Sequence, residues 1–417
     1  MLKYWIWLAT RKGLGPRGAL AVLRRFSSPE QAYCAGREDF ADMEELRDPA
    51  PLLDKDMRGP EKILQQCYQK NIHILTYQDA AYPERLKNID DPPIVLYYQG
   101  TIPAIDTEPV IAMVGTRRAS AYGLLQAKQL GYQLGRNGAI VASGGAAGID
   151  TLCLTGALTA GRPVIAVLGC GVDVTYPAAN RTLFEDIRHH GCLLSEYPPG
   201  TEALPHHFPV RNRILSGLAL GVVVVEAPKK SGALITASRA LEQGRDVFAV
   251  PGNVGSPTCQ GNIQLLKEGA IVVEDGWDVM QEYAHLFPSL IRRGPRPTGM
   301  TLSAQEQREL LENHAPKVQK KPPIVASQTE KVGIDDRKDV DNSQNKAYID
   351  VQELLETVTP DERLILEQLA CGARHIDTVI AESGLPAGRI LASMTLLEVK
   401  GFVKRLPGRV FSLAEKQ

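Results

Sequence analysis

Short apolar runs, separated by glycine turns and helical stretches, fill the middle of this 417-residue chain. Several runs carry β-branched side chains on both faces, which suits parallel strands that are covered by helices on each side. Amphipathic spans such as Tyr122–Arg136 and Thr236–Gln243 lie between the runs, and this alternation is typical of a doubly wound α/β sheet. The predicted strands are Ile72–Thr76, Ile94–Tyr98, Val110–Val114, Ala139–Ser143, Val164–Leu168, Cys192–Glu196, Gly221–Glu226, Asp246–Val250 and Ala270–Glu274.

The segments that flank this sheet predict three further parts. Residues 1–75 read as short helices around Gly13-Leu14-Gly15-Pro16, so we expect a small helical domain of helix-hairpin-helix or SAM-like outline. Such a turn can clamp a DNA backbone, but a helical packing module explains it as well and is the simpler interpretation. Residues 76–287 then form the Rossmann-like domain.

The C-terminal third predicts a linker and a second folded domain. Residues 288–355 are rich in proline and charge and poor in aromatics, which predicts a flexible linker. Residues 356–417 read as three helices followed by a hairpin around Pro407-Gly408, the pattern of a winged helix. Its basic residues Lys400, Lys404, Arg405 and Arg409 could contact phosphates, although many such domains bind proteins.

Composition excludes several classes of protein. A net charge of −1 argues against a wholly basic nucleic-acid coat but permits a local basic groove. The N-terminal apolar run is short, lacks a cleavage site and is followed by Arg11 and Lys12, so we expect a cytoplasmic protein with no membrane segment. The seven cysteines form no Cys-x-x-Cys motif, which predicts free thiols and no metal site.

Glycine-rich turns follow several predicted strands, at the edge where doubly wound sheets bind ligands. Glycine lets the backbone approach an anion, a helix start supplies free amides, and arginine matches the geometry of phosphate. Each turn alone is weak evidence. Together they predict an anion-binding groove, formed by Gly115–Arg118, Ser143–Asp150, Gly169–Arg181 and Phe208–Leu218.

Taken in order, these motifs resemble the DprA/Smf family of DNA-processing proteins. The resemblance also includes Ser195–Gly200, Val225–Ala227, Ser231–Ala237 and Val250–Asn253, and it covers residues 75–280 in register. It implies binding of single-stranded DNA, a homodimer formed through the Rossmann-like domain, and transfer of the strand to the RecA recombinase during natural transformation. It implies no cofactor and no catalysis.

Carried over by motif, the resemblance implies that Arg117 grips a phosphate, that Ser143 and Gly144 make loop contacts, and that Arg211 and Arg213 line the same groove. The full set of expected DNA- or phosphate-binding residues is Gly115, Thr116, Arg117, Arg118, Ser143, Gly144, Gly145, Gly169, Gly171, Tyr176, Asn180, Arg181, Arg211, Asn212, Arg213, Ser231 and Gly232.

The chain departs from the family pattern at four positions. Thr116 stands where serine is usual and keeps the hydroxyl. Ala147 and Ala178 stand where a basic residue is common, and Leu154 stands where histidine is common, so the groove carries fewer cations. Aromatic residues are also scarce, at 6%, which predicts phosphate-led and salt-dependent binding.

Three other functions fit the sequence less well. A nucleotide phosphoribohydrolase on a related fold would need a Pro-Gly-Gly-x-Gly-Thr turn and a carboxylate such as Glu196 or Glu226, but the comparable turn at residues 226–232 lacks the glycine pair. A dehydrogenase would need the motif Gly-x-Gly-x-x-Gly after the first strand, and this sequence does not have it there. A transcription regulator built on the winged helix would not need phosphate-suited turns in its other domain.

Overall fold

The computed structural model describes residues 1–46, 48–294, 301–304, 306–308, 359–369, 372, 374–383, 389–390, 393–394, 397–398, 402–406 and 410–413. The chain divides into two compact units, one from Met1 to Gln319 and one from Lys320 to Gln417. We call them the sheet unit and the C-terminal unit. Within the described residues, no helix is both long and apolar enough to cross a membrane.

All nine predicted strands are present in the sheet unit, and each observed end lies within two residues of the predicted one. The α/β class predicted from their composition is therefore confirmed. The strands are β1 (His73–Thr76), β2 (Val95–Gly100), β3 (Val110–Val114), β4 (Ile140–Ser143), β5 (Val164–Leu168), β6 (Gly191–Ser195), β7 (Gly221–Val224), β8 (Asp246–Ala249) and β9 (Ile271–Val272).

The order of the strands defines where a ligand can bind. The sheet runs β1-β2-β6-β5-β4-β3-β7-β8-β9, and the strands from β6 to β9 in this order are mutually parallel. β2 is antiparallel to both β1 and β6. The chain leaves β3 for β4 on one side and later returns to β7 on the other, so the switch point of the topology lies between β3 and β7.

Helices cover both faces of this sheet. α7, α8 and α9 pack on one face, and α10, α11 and α12 pack on the other. Strand β3 serves both layers, because Ile111 and Met113 point to the first face while Val110 and Ala112 point to the second. The helices are α6 (Glu84–Lys87), α7 (Ala121–Arg136), α8 (Ile149–Thr159), α9 (Arg181–His190), α10 (His207–Leu218), α11 (Gly232–Glu242), α12 (Gln260–Lys267) and α13 (Gly276–Met280).

The N-terminal helices pack against the same core as the first face of the sheet. They are α1 (Leu2–Ala9), α2 (Gly15–Phe26), α3 (Pro29–Cys34), α4 (Ala50–Leu53) and α5 (Arg58–Gln69). Trp7 is fully buried, and its indole Nε1 donates to the carbonyl of Asp54 at 2.8 Å. Gly13 and Gly15 both have positive φ, at 84° and 63°, which explains why the turn between α1 and α2 uses glycine.

The C-terminal unit has the elements of the predicted winged helix. α14 (Pro360–Leu369) begins at a capping pair in which Glu362 Oε2 accepts from the Thr359 amide at 2.8 Å. α15 (Ile376–Ser383) follows β10 (Arg374–His375), and the hairpin of β11 (Val403–Leu406) and β12 (Val410–Leu413) closes a three-stranded sheet. The predicted third helix is described only at residues 389–390, 393–394 and 397–398, which are helical.

Most of the linker predicted at residues 288–355 lies outside the described residues. Its described beginning belongs to the sheet unit, because Ile291 is buried and Lys128 Nζ lies 2.9 Å from Glu306 Oε2. Among the wing cations, Lys404 is exposed, while Lys400 and Arg409 lie outside the described residues.

Candidate nucleic-acid interface

A cleft of about 470 Å³ opens at the carboxyl ends of β3 and β7, at the switch point of the sheet. We call it the switch-point cleft. Its walls come from the loop after β3, the start of α8, the loop after β5, the first turns of α10 and the beginning of α11. Four cationic side chains line it against one carboxylate; the cations are Arg117, Arg118, Arg211 and Lys230, and the acid is Asp150.

Arg117 is exposed but held in place by two aromatic rings. Its guanidinium carbon lies 4.8 Å from the ring centre of Phe208 and 6.0 Å from that of Tyr176. The two rings contact each other, with centres 5.6 Å apart. Stacking on a ring face orients a guanidinium and leaves its N–H groups in plane and available. Arg117 is therefore positioned to donate to an anion in the cleft.

Arg211 contributes charge from a buried position on α10. It is 5% exposed; its Nη1 donates to the carbonyl of Val167, and its Nε donates to Asn212 Oδ1 at 3.2 Å. Burial lowers the pKa of this guanidinium, and the carboxylate of Asp150 opposes the shift. Burial also raises the pKa of Asp150, while the Arg211 charge and the Ala146 amide oppose that rise.

The beginning of α11 supplies backbone amides to the same cleft. Ser231 caps the helix, since its Oγ accepts from the Ala233 amide at 3.2 Å. Apart from the neighbouring residues and the backbone of α11 itself, no atom lies within 4 Å of the place where a Cβ of Gly232 would stand, so an anion can approach this helix start closely. The positive end of the helix dipole adds to the attraction.

Glu226, at the end of the β7 region, organises the loop that carries Arg117. Its carbonyl accepts from the Thr116 amide at 2.8 Å. Its Oε2 accepts from the Ser120 amide at 3.0 Å and from Ser120 Oγ at 2.9 Å. The side chain is 1% exposed. Glu226 thus holds the start of α7 and is not among the residues that line the cleft.

Nine of the expected residues lie together in the cleft, and the other eight do not line it. Ser143 is fully buried, and its Oγ donates to the carbonyl of Met113 at 2.7 Å. Asn180 Nδ2 donates to the carbonyl of Gly145 at 2.9 Å, so both residues brace the loop after β4. The nine that line the cleft are Gly115, Thr116, Arg117, Arg118, Tyr176, Arg211, Asn212, Ser231 and Gly232.

Three glycines behind the cleft make room for other protein groups. A Cβ on Gly144 would stand 2.4 Å from Arg211 Nη2, and one on Gly169 would stand 3.0 Å from the Phe208 ring. A Cβ on Gly171 would stand 2.8 Å from the carbonyl oxygen of Pro198. Gly144 and Gly169 therefore allow the close packing that positions Arg211 and Phe208.

Arg213, which we expected in the groove, lies elsewhere in the structure. It is 3% exposed, and its Nη2 contacts both Glu196 oxygens, at 2.7 and 2.8 Å. Its Nε lies 3.3 Å from Asp91 Oδ2. The reason is that both arginines lie within α10, which begins at His207. In a helix, residues two positions apart point roughly 200° away from each other, so Arg211 and Arg213 face opposite sides.

Arg181 is exposed and lines a separate groove of about 370 Å³ with Lys70, Thr175 and Arg188. Two of its cations already form ion pairs with carboxylates: Lys70 pairs with Asp173, and Arg188 pairs with Glu185. This second groove begins at Thr175, next to Tyr176 of the switch-point cleft.

Sequence reasoning left several lining residues out of its binding set, among them Phe208, Lys230 and Ile235. Phe208 precedes a proline, which is typical of a turn, but Pro209 lies in the first turn of α10, where proline is tolerated. Lys230 lies in the segment after β7, outside the glycine-rich turns from which the groove was predicted. Ile235 is 41% exposed on α11, and an isolated apolar residue on a helix gives no signal for binding.

Comparison with known proteins agrees with this architecture. The family described as DNA recombination-mediator protein A matches residues 73–284, and the DprA winged helix domain matches residues 352–409. The DNA processing protein DprA of Streptococcus pneumoniae is 38% identical over 280 residues, which are 67% of this chain and 98% of that protein. Protein Smf of Synechocystis is 32% identical over 415 residues, 97% of each protein.

A solved structure extends the comparison to three dimensions. The X-ray structure of DNA processing protein A from Streptococcus pneumoniae superimposes with a TM-score of 0.61 at 37% identity, covering 68% of this chain and 98% of that chain. Separate family models thus match the sheet and the winged helix. The chain belongs to the DprA/Smf family of DNA-processing proteins.

Proposed function

We propose that the protein binds single-stranded DNA in the switch-point cleft, chiefly through phosphates. The observation that carries the proposal is the convergence of Arg117, Arg118, Arg211 and Lys230 with the start of α11, opposed by Asp150 alone among the lining residues. Phosphate contacts fix the strand without reading its sequence, so binding is sequence-tolerant and strongly salt-dependent.

Fluorescence anisotropy tests this proposal directly. A labelled single strand and its duplex are titrated with the protein over a salt series. The expected result is tighter binding of the single strand, with affinity falling linearly in log–log form as salt rises. Equal affinity for strand and duplex, or no binding at low salt, would contradict the proposal.

The finer role rests on membership of the DNA-processing family. We propose that the protein acts as a homodimer through the Rossmann-like domain and delivers the bound strand to the RecA recombinase, in recombination and natural transformation. Light scattering after size exclusion gives the oligomeric state. The ATPase activity of RecA on a strand already coated by a competing binder reports delivery; the protein should shorten the lag, and an unchanged lag would exclude this role.

We also propose that the protein binds DNA without chemically altering it. The two carboxylates that a phosphoribohydrolase would use support the scaffold instead, since Glu226 holds Ser120 and Glu196 holds Arg213. Incubation with nucleoside monophosphates, followed by chromatography, should release no free base. Release of base that is lost in a Glu226→Gln variant would favour the enzyme.

A further inference from the structure

The second groove, which Arg181 lines, has the chemistry of an anion site and not of a small-molecule pocket. Its volume is about 370 Å³, and all seven residues that line it are polar or charged. Sites that enclose a small molecule are instead lined mainly by apolar and aromatic side chains. A ligand of the second groove therefore binds through charge and hydrogen bonds.

The charged side chains of this groove come mainly from one face of α9. Arg181, Glu185 and Arg188 follow each other at intervals of four and three residues, so they lie on the same side of the helix. Lys70 directly follows α5 and lines the groove as well. The groove therefore lies where the N-terminal helices meet the α9 layer of the sheet.

Hydrogen bonds hold several of these side chains in place. Arg188 Nε donates to Gln99 Oε1 at 2.8 Å, and Gln99 Nε2 donates to the carbonyl of Lys70 at 3.0 Å. Asp173 Oδ2 lies 2.5 Å from Lys70 Nζ, while Asp173 Oδ1 accepts from the Gly200 amide at 2.8 Å. The Asp173 side chain is only 10% exposed, so its charge is largely neutralised within the protein.

Arg181 is the cation of this groove that is open to a ligand. It is exposed, and among the residues that the structure describes its guanidinium forms no ion pair or hydrogen bond. Lys70 also keeps 44% of its side chain exposed. The accessible carboxylate among the lining residues is Glu185, whose side chain is 59% exposed. Accessible cations thus outnumber accessible carboxylates.

The second groove meets the switch-point cleft at one peptide bond. Thr175 lines the groove and Tyr176 lines the cleft, and consecutive Cα atoms lie about 3.8 Å apart. Proteins that bind single strands of any sequence follow the backbone with a positive groove, over about 4–16 nucleotides in OB folds. A strand held at Arg117 therefore reaches Arg181 by passing Tyr176.

We infer that the second groove binds a further backbone phosphate of the same single strand, beyond the switch-point cleft, with Arg181 as the contacting cation. This inference rests on the proposed function, because the cleft holds the first phosphates. A strand that is only long enough to fill the cleft does not reach Arg181. The groove therefore adds affinity for long strands, and it does so without reading sequence, because phosphate contacts carry none.

Strand length separates the two sites experimentally. Single strands of about 4 and about 16 nucleotides, the range of common site sizes, are compared by fluorescence anisotropy competition. Arg181→Ala should weaken binding of the long strand about threefold to tenfold and lower its slope of log affinity against log salt by about 0.7. The short strand should stay within about twofold of its wild-type affinity. An equal effect on the two lengths, or no effect on either, would overturn the inference.

A matched pair of carboxylate variants tests the sign of the effect. Glu185 pairs with Arg188, and Glu242 pairs with Arg239, each at 2.8 Å and three residues apart on a helix, and the two carboxylate side chains are 59% and 56% exposed. Glu185→Gln removes a repulsive charge from the groove and should tighten long-strand binding about twofold or more. Glu242→Gln is the control, because Glu242 lines neither the groove nor the cleft. Equal effects of the two substitutions would contradict a phosphate site beside Glu185.

Failure of the proposed function gives a different result. If wild-type protein binds neither length at low salt, or if Arg117→Ala leaves both affinities unchanged, the cleft is not a DNA site and both proposals fall. If Arg117→Ala weakens both strands and Arg181→Ala weakens neither, phosphate binding in the cleft stands and only the second groove is overturned.

Discussion

Arg213 was predicted from the sequence to bind DNA in the groove, but in the structure it forms a buried ion pair that supports the fold. It is 3% exposed and contacts the Glu196 carboxylate, whose side chain is 21% exposed. Asp91 lies at 3.3 Å from its Nε. Arg213→Met keeps most of the side-chain volume and removes the charge, so it leaves two carboxylates without their partner.

The cost follows from the burial of the pair. Removing one partner of a buried ion pair destabilises a protein by about 3–5 kcal/mol. Because Glu196 keeps some contact with solvent, we expect the lower end, about 3 kcal/mol. A domain of this size loses roughly 2 °C in Tm for each kcal/mol, so the variant should melt about 6 °C below wild type.

The loss should depend on pH in a defined direction. Burial raises the pKa of Glu196, and the charge of Arg213 opposes that rise. Without Arg213 the pKa of Glu196 rises further. A carboxyl with a raised pKa in the folded state costs stability above that pKa and regains it as the group is protonated. The deficit of Arg213→Met should therefore shrink as pH falls, and adding Glu196→Gln should remove most of this dependence.

Differential scanning calorimetry over a pH series, with DNA binding measured on the folded protein at 20 °C, checks the reasoning. We expect the Tm to fall and the affinity for a single strand to stay within about twofold of wild type, because Arg213 is buried and does not line the switch-point cleft. A variant that keeps its Tm but loses DNA affinity would refute the structural role and return Arg213 to the groove.

Two further substitutions test the support of the cleft. Gly123→Ala should destabilise the protein by about 1–3 kcal/mol, because the new Cβ would stand 1.7 Å from Glu226 Oε2. The same change at Gly59, a helical site with open space, should be neutral or stabilising in the same thermal melt, and equal losses would contradict this. Ser231→Ala removes the cap of α11 and should cost about 1 kcal/mol, with weaker strand binding by anisotropy. Unchanged stability and affinity would show that this helix start is not important.

The strands were predictable because their cause is local. The central strands lie in runs of apolar residues, such as Val110–Val114 or Val164–Leu168, that are buried on both faces. The parallel arrangement of β3 to β9 also follows from the helices that connect these strands. The position of the cleft was predictable in outline, since the carboxyl ends of such strands meet at one edge.

The roles of individual side chains depended on helix boundaries that the sequence marks poorly. Phe208-Pro209 looks like a turn, yet proline fits the first turn of a helix, and α10 therefore begins at His207. Arg211 and Arg213 therefore lie within α10, where both are buried and point in opposite directions. α11 begins at Gly232, four residues before the predicted Thr236, because Ser231 caps the helix there.

Glycine turns were a correct signal for close approach but did not identify the approaching group. Gly144 and Gly169 face Arg211 and the Phe208 ring. Sequence alone gives no means of distinguishing a glycine that admits a ligand from one that admits another side chain. Residues recruited from other elements, such as Lys230 and Ile235, become part of the site only through the fold.

The salt dependence of single-strand binding by Arg117→Ala is the most direct test of the central claim that the switch-point cleft holds DNA phosphates. Loss of one phosphate contact should lower the slope of log affinity against log salt by about 0.7 for a single strand. Affinity should fall by roughly tenfold or more, as expected for a charged hydrogen bond. Arg58→Ala is the control, because that side chain is 91% exposed and does not line the cleft. If Arg117→Ala keeps both the slope and the affinity of wild type, the cleft is not where the strand binds.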